Sequence, residues 1–229
     1  WVHNSDKGTW KYYGDEEEPK LHTGWFEAVP SKELNSDDHE NGTTHWYYAN
    51  SKGEITIPTA DGEVGVVKTI DGKSYLFNSD GEMVTGLRIL TYDGSKITNI
   101  SSEVDTADTV KNMNSDTMKL VYFESNGAAK TGTTTITLDG TSYTFSFKSN
   151  GSPRGVGETG ISDGYIYQNG LRLTADEDTK YGVVTYKNES YVVNEKGSIQ
   201  KNKKNLKDAD ETYYCTNAKG ILLHSSTEK

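Results

Sequence analysis

The chain has 229 residues and a formal net charge of −10 at pH 7, an acidity that excludes broad electrostatic attachment to nucleic acid or to an anionic membrane. No run approaches the roughly 18 apolar residues of a membrane span, and one cysteine, Cys215, excludes an internal disulfide framework and a cysteine-based zinc site. Leu, Ile, Val and Phe together number 42, a share below the ~20 per cent at which a charged chain reads as disordered, but 15 Tyr, 4 Trp and only 4 Pro point to a thin fold built on aromatic rings.

In chain order, the first element is an aromatic segment, Trp10 to Tyr13, followed by the acidic stretch Asp15-Glu16-Glu17-Glu18 and by Trp25-Phe26. From there a short aromatic or β-branched stretch is repeatedly followed, after a polar turn, by a glycine. Tyr47-Tyr48-Ala49 leads to Gly53, Tyr75-Leu76-Phe77 to Gly81, and Val121-Tyr122-Phe123 to Gly127. Phe145-Ser146-Phe147 leads to Gly151, Tyr165-Ile166-Tyr167 to Gly170, Tyr191-Val192-Val193 to Gly197, and Tyr214-Cys215-Thr216 to Gly220. The intervening residues are turn formers: Asn, Asp and Ser bond back to local backbone, and Gly takes the positive φ. A second tight turn precedes several copies, as at Asp71-Gly72, Asp93-Gly94 and Asp139-Gly140. Each unit therefore reads as two short strands with turns at both ends.

The repeat glycines are separated by 28, 46, 24, 19, 27 and 23 residues. The longest gap holds a degenerate hairpin at Asp93-Gly94 and an insertion near 99–117, where Val104, Ala107 and Val110 allow one short helix. A hairpin of about 20 residues is unstable alone, so neighbours must stack. The expected fold is all-β: a solenoid of tandem short β-hairpins with inserted loops at 27–44 and 99–117. Residues 1–229 are read as a single array, Trp-rich over 1–60, Tyr/Phe-type over 61–159 and degenerate over 160–229. A start at Trp1, with no signal segment in view, is expected for a fragment of a longer protein.

These motifs carry a resemblance. WVHNSDKGTWKYYGDEEEPKLHTGW (1–25), HWYYANSKGEI (45–55) and IDGKSYLFNSDGEMVTGL (70–87) look like cell-wall-binding repeats of the choline-binding type. LVYFESNGAAKTG (120–132) and LDGTSYTFSFKSNG (138–151) are similar to the related repeats of glucan-binding proteins and of clostridial toxin receptor-binding regions. The resemblance implies a secreted, Gram-positive, cell-wall-associated module without catalysis or cofactor, which holds teichoic-acid choline or polysaccharide. It further implies choline cages made by two Trp of one hairpin and an aromatic of the next, whose ring faces attract a quaternary ammonium by about 0.5–2 kcal/mol per contact. All four Trp (Trp1, Trp10, Trp25, Trp46) lie in the first 46 residues, so at most one complete cage is expected: Trp10, Trp25 and Trp46, with Tyr48 as a fourth wall.

Other candidates are weaker. Tyr12-Tyr13, Tyr47-Tyr48 and Tyr213-Tyr214 should alternate faces, one ring of each pair inward. Asp37-Asp38-His39-Glu40 and Asp176-Glu177-Asp178, like the first acidic stretch, invite calcium, but none has an EF-hand spacing and each reads as a solvated loop. The five His are scattered without a ligand spacing, so no metal site is expected. Lys201, Lys203, Lys204 and Lys207 read as a solvated turn, Cys215 as a small buried or edge residue, and the N-glycosylation sequons at Asn41, Asn99 and Asn188 as chance matches. No nucleophile elbow or phosphate loop is present, so no enzyme is expected. The alternatives to a wall-binding module are a spacer presenting the inserted loops to a host or surface protein, and the targeting tail of a wall-active enzyme.

Overall fold

The computed structural model describes residues 1–14, 17–150 and 154–228. The Asp15-Glu16 half of the first acidic stretch and the Gly151 turn lie outside the described residues. The strands are β1 (Val2–Asn4), β2 (Thr9–Lys11), β3 (Gly24–Ala28), β4 (His45–Ala49), β5 (Gly65–Ile70), β6 (Lys73–Asn78), β7 (Gly86–Asp93), β8 (Lys96–Ile100) and β9 (Met118–Phe123). They continue as β10 (Gly132–Leu138), β11 (Thr141–Phe147), β12 (Gly160–Ser162), β13 (Tyr165–Gln168), β14 (Leu171–Arg172), β15 (Tyr181–Tyr186), β16 (Glu189–Asn194), β17 (Lys204–Lys207), β18 (Tyr213–Thr216) and β19 (Leu222–Ser226). Two short helices interrupt them, α1 (Ser36–Asn41) and α2 (Ala107–Asn112). Every strand pairing is antiparallel, in hairpins β1–β2, β3–β4, β5–β6, β10–β11, β12–β13, β15–β16 and β17–β18. In the remaining repeat β7 pairs β9, and β8 is inserted between them in sequence and pairs on the other edge of β7. The all-β array of tandem hairpins expected from the turn spacing is the fold observed.

Local chemistry dictates each repeat. Asp71 and Gly72 both have positive φ, 48° and 75°, the two-residue turn whose twist matches the flanking strands. After the second strand comes the polar turn. Asn78 Oδ1 accepts from the backbone N–H of Asp80 (3.0 Å) and Glu82 (2.8 Å), and Gly81 N donates to Asn78 O at 3.1 Å. Asn50, Asn194 and Asn217 repeat this arrangement with Gly53, Gly197 and Gly220. Residues just past the turn then pair with an earlier hairpin: Ile55 N donates to Trp10 O, Met83 N to Trp46 O, and Ala129 N to Ser74 O, at 2.8–3.0 Å. Turn geometry thus delivers the chain onto the previous repeat, where it satisfies backbone groups that a lone hairpin would leave to water.

The described chain forms two compact units. The first comprises Trp1–Val104, Asn114–Lys130 and Asn150–Gly155, and the second comprises Asp105–Met113, Thr131–Ser149 and Val156–Lys229. A core of the first unit contains Trp10, Phe26, Ala28, Tyr47, Ala49 and Ile55, with Trp1 and Tyr12 packed against it. One in the second unit contains Ile166, Ala175, Tyr191, Val193 and Ile199. The alternation of paired tyrosines holds where strands are regular: Tyr47 and Tyr214 are buried, Tyr48 and Tyr213 half-buried.

Two local expectations are corrected. Residues 37–40 form most of α1 rather than a solvated loop, because Asn35 caps its N-terminus by accepting from Asp38 N at 3.1 Å and Gly42 closes it at φ 67°. Lys204–Lys207 is the edge strand β17 rather than a turn, with Lys207 Nζ 2.7 Å from Glu211 Oε1. The helix allowed in the 99–117 insertion is α2, with Ala107 and Val110 buried.

The repeat glycines separate two costs. At Gly72 an added Cβ would meet no atom within 4 Å, whereas at Gly81 (φ +79°) it would lie 2.7 Å from Ile55 Cδ1 and 3.0 Å from Ile57 Cγ2. Gly72→Ala should cost about 1–2 kcal/mol of left-handed strain, and Gly81→Ala about 1–3 kcal/mol more from overpacking against the preceding repeat. Urea midpoints of the two variants check this.

Alkaline stability carries a second expectation. Burial, reinforced by the hydrogen bond from its hydroxyl to Asp208 Oδ2 (2.7 Å), pushes the Tyr214 phenol up to about 12 from 10.0. A raised folded-state value makes this contribution complete below pH 10.0 and lost as pH rises through about 12. Tyr214→Phe should therefore flatten the fall of the unfolding midpoint across that window.

Candidate functional site

The β3–β4 hairpin sorts its side chains by strand parity. Phe26 and Tyr47 are cross-strand partners on the core face. Trp25 and Tyr48 are partners on the opposite face, which Glu27 and Trp46 share. The next hairpin, β5–β6, adds Tyr75 and its partner Lys68. Trp25 becomes the meeting point: its ring centroid is 5.1 Å from that of Tyr48 at 68°, and 4.8 Å from that of Tyr75 at 62°, while Phe77 lies beneath at 5.8 Å. All three upper rings are half-buried. Edge-to-face contacts of this kind add about 0.5–1.5 kcal/mol each beyond area burial and hold the rings at steep angles, so that they wall a corner instead of forming a flat stack.

The four residues expected at a single cage are placed differently. Trp25 and Tyr48 are brought together. Trp46 shares their face and is 46% exposed. Trp10 stands apart: it is buried in the core with Phe26 and Tyr47, and its indole stacks on the His3 ring with centroids 4.2 Å apart. The β3–β4 sheet separates it from the Trp25 face. Tyr75, which the sequence shows only as part of the Tyr75-Leu76-Phe77 repeat, joins the cluster instead.

A cation already tests one ring face. Lys68 Nζ lies 5.6 Å from the Tyr48 ring centroid, within cation–π range. In the second unit the Arg172 guanidinium covers the Tyr165 ring at 3.8 Å and donates to the Tyr167 hydroxyl at 2.9 Å, so that aromatic face is closed by the chain's own arginine. Tyr165 and Arg172 border a groove of about 650 Å³ that Tyr143, Asp176 and Glu195 also line.

On the His45 and Tyr47 side of β4, α1 and the Asn78 turn build a polar cluster that sequence spacing did not reveal. His45 Nε2 lies 2.9 Å from Asp38 Oδ2 and 3.6 Å from Glu82 Oε1. Asn35 Nδ2 donates to both carboxylates, at 2.8 and 3.0 Å, and Asn78 Nδ2 donates to Glu82 Oε2 at 2.9 Å. Burial, then the charge of Glu82, raises the Asp80 carboxyl above its usual range. Burial, followed by the charges of Glu82, Asp80 and Asp38, pushes the Tyr47 phenol far up.

Tandem hairpins closed by glycine turns, with aromatic rings gathered where successive hairpins meet, define the chain as an aromatic hairpin-repeat protein. Among solved structures its fold is similar to CbpF in complex with ipratropium: 20% identity, TM-score 0.55, with 98% of this chain aligned to 58% of that one. A second structure, choline binding protein F from Streptococcus pneumoniae, matches over 98% of this chain and 47% of its own, at 20% identity and TM-score 0.39. The choline-binding domain of CbpL from Streptococcus pneumoniae matches over 98% and 96% of the two chains, at 13% identity and TM-score 0.45. The chain thus spans little more than half the length of the CbpF structure whose fold it shares. No protein-family model and no curated protein sequence matches it significantly. Among the described residues no helix is long and apolar enough to cross a membrane.

Burial separates the tryptophans in a measurable way. Trp10→Ala should lower stability by about 3–5 kcal/mol, as expected for a large core ring. Trp46→Ala should stay within about 0.5 kcal/mol of the parent. Denaturant unfolding followed by far-UV circular dichroism distinguishes them.

Proposed function

We propose that the chain is a non-catalytic cell-surface module that attaches to a choline-bearing cell-wall polymer, with Trp25, Tyr48 and Tyr75 as the ammonium-binding rings. The observation that carries this reading is the corner of three half-buried rings from three strands and two successive hairpins, centred on Trp25. Negative ring faces at steep mutual angles suit a compact cation without hydrogen-bond donors. Lys68 beside Tyr48 shows the same attraction within the chain and makes the lysine a competitor for that face. The fold likeness to CbpF supports the reading, as does the resemblance of segments 1–25, 45–55 and 70–87 to choline-binding repeats. A single site of a few weak contacts suits attachment to a polymer, where repeated ligands raise the effective concentration.

A second reading, a polysaccharide as ligand, rests on Trp46, whose exposed ring beside Glu27 offers a flat face to sugar CH groups. Display of the 99–117 insertion to a protein partner is less favoured. Its helix α2 is held by Asn169 Nδ2 donating to Val110 O at 3.1 Å and Gln168 Nε2 donating to Lys111 O at 3.0 Å, a packed element instead of a free loop.

Isothermal titration with choline chloride tests the proposal. Saturable heat is expected from the parent, lost in Tyr75→Leu and strengthened a few-fold in Lys68→Met, which removes the internal cation. Choline heat that survives Tyr75→Leu would contradict the site. Heat with a soluble glucan alone, abolished by Trp46→Ala, would replace choline by carbohydrate.

A further inference from the structure

The cluster of Asp38, His45 and Glu82 is unused by the aromatic site, and its geometry points to a divalent-metal site. We propose that these three side chains bind one Zn²⁺-type ion that pins α1 to the turn of the following hairpin. The ligand atoms are His45 Nε2, Asp38 Oδ2 and Glu82 Oε1, all within 4.8 Å of one another, the one such group among the described residues. In a tetrahedral zinc site with bonds of roughly 2.0–2.1 Å, donor atoms sit about 3.3 Å apart. The separations from His45 Nε2, 2.9 Å to Asp38 and 3.6 Å to Glu82, straddle that value. One nitrogen and two carboxylate oxygens are a donor set that zinc accepts.

The supporting residues are those a metal site requires. Asn35 holds both carboxylates through one amide nitrogen, and Asn78 fixes the far oxygen of Glu82, so the ligands are oriented before any ion arrives. Glu82 is 7% exposed, unusual for a carboxylate that no lysine or arginine bridges among the described residues. Asp80 adds a third carboxylate nearby. The Arg88 guanidinium borders the same groove, of about 490 Å³, but donates to Thr85 O (2.7 Å) and Ser101 O (3.3 Å) instead of to these acids. A divalent cation would offset the negative charge that these carboxylates bring together.

An independent observation comes from Tyr47. It shares the His45 face of β4 and is fully buried, and its hydroxyl has no hydrogen-bond partner among the described residues while standing in the field of Asp38, Asp80 and Glu82. An ion carrying a water would bring such a hydroxyl the partner it lacks. Binding uses the lone pair of neutral His45 at Nε2. The proton that Nε2 now shares with Asp38 moves to Nδ1, or is released to solvent if the ring was doubly protonated.

The three ligands come from α1, from β4 and from the turn after β6, so the ion would bridge an inserted helix and two successive hairpins. The full chain, stripped with EDTA, should bind ZnCl₂ in calorimetry with one site per chain, and its melting temperature should rise and saturate with zinc while MgCl₂ has no effect. His45→Gln and, separately, Asp38→Asn should weaken zinc binding about tenfold or more. His3→Gln, remote from the cluster, should bind as the parent does. Visible absorption of added Co²⁺ with tetrahedral intensity, lost in either ligand variant, gives a readout that does not depend on stability. Absence of zinc heat and of a Co²⁺ spectrum in the parent would overturn the proposal. Equal zinc binding in His45→Gln and Asp38→Asn, with circular dichroism showing both folded, would overturn it as well.

Discussion

The constraint on which the structure depends is the space left by a missing Cβ at four of the repeat glycines. A side chain of an earlier segment fills it: Leu21 at Gly53, Ile55 and Ile57 at Gly81, Met83 at Gly127, and Ile199 at Gly220. The same glycines must hold a positive φ to close the polar turn, at 76°, 79°, 79° and 88°. One residue type therefore meets two demands, the sharp turn and the close approach of the preceding segment. Hairpins too small to be stable alone become a cooperative array, because the turns at these glycines are also packing surfaces. Burial is shared between rings such as Tyr47, Phe77 and Phe123 and aliphatic side chains such as Leu76, Leu90 and Leu120.

The aromatic corner is a consequence of that stacking. Strand parity alone places Trp25 and Tyr48 together, since they are register partners on one hairpin. Only docking of the next hairpin, through Met83 N to Trp46 O and the seat of Ile55 against Gly81, brings Tyr75 to within 4.8 Å of Trp25. A site at a junction has its geometry fixed by backbone bonds on both sides, which keeps the rings from collapsing into a stack. The second unit shows the other outcome, in which Arg172 lies over Tyr165 and the aromatic face is satisfied internally.

How far the sequence discloses this depends on the range of the signal. Turns are local, so Asn78 to Gly81 and its equivalents could be read directly, and the all-β hairpin array with them. The caps of α1, Asn35 and Gly42, were equally local, but the acidic residues between them drew attention to charge and hid the helix. The proposed site was half legible. Trp25 and Tyr48 follow from composition and parity, whereas Trp10 was grouped with them because nothing in the sequence tells which side of β3–β4 the β1–β2 hairpin covers. Tyr75 went unassigned because its motif lacks Trp, although the site needs only a ring at that register. The Asp38–His45–Glu82 cluster was invisible: Glu82 is 37 residues from His45 in sequence, and only the fold brings their side chains within 3.6 Å.

The central claim is that ligand is held at the junction of two hairpins around Trp25. Heteronuclear NMR of the four indole N–H resonances tests it most directly, since each tryptophan reports a separate place in the first unit. With choline the account expects a saturable shift of the Trp25 resonance, with those of Trp1 and Trp10 fixed in the core. Shifts confined to Trp46, or none at Trp25 under saturating choline, would contradict it.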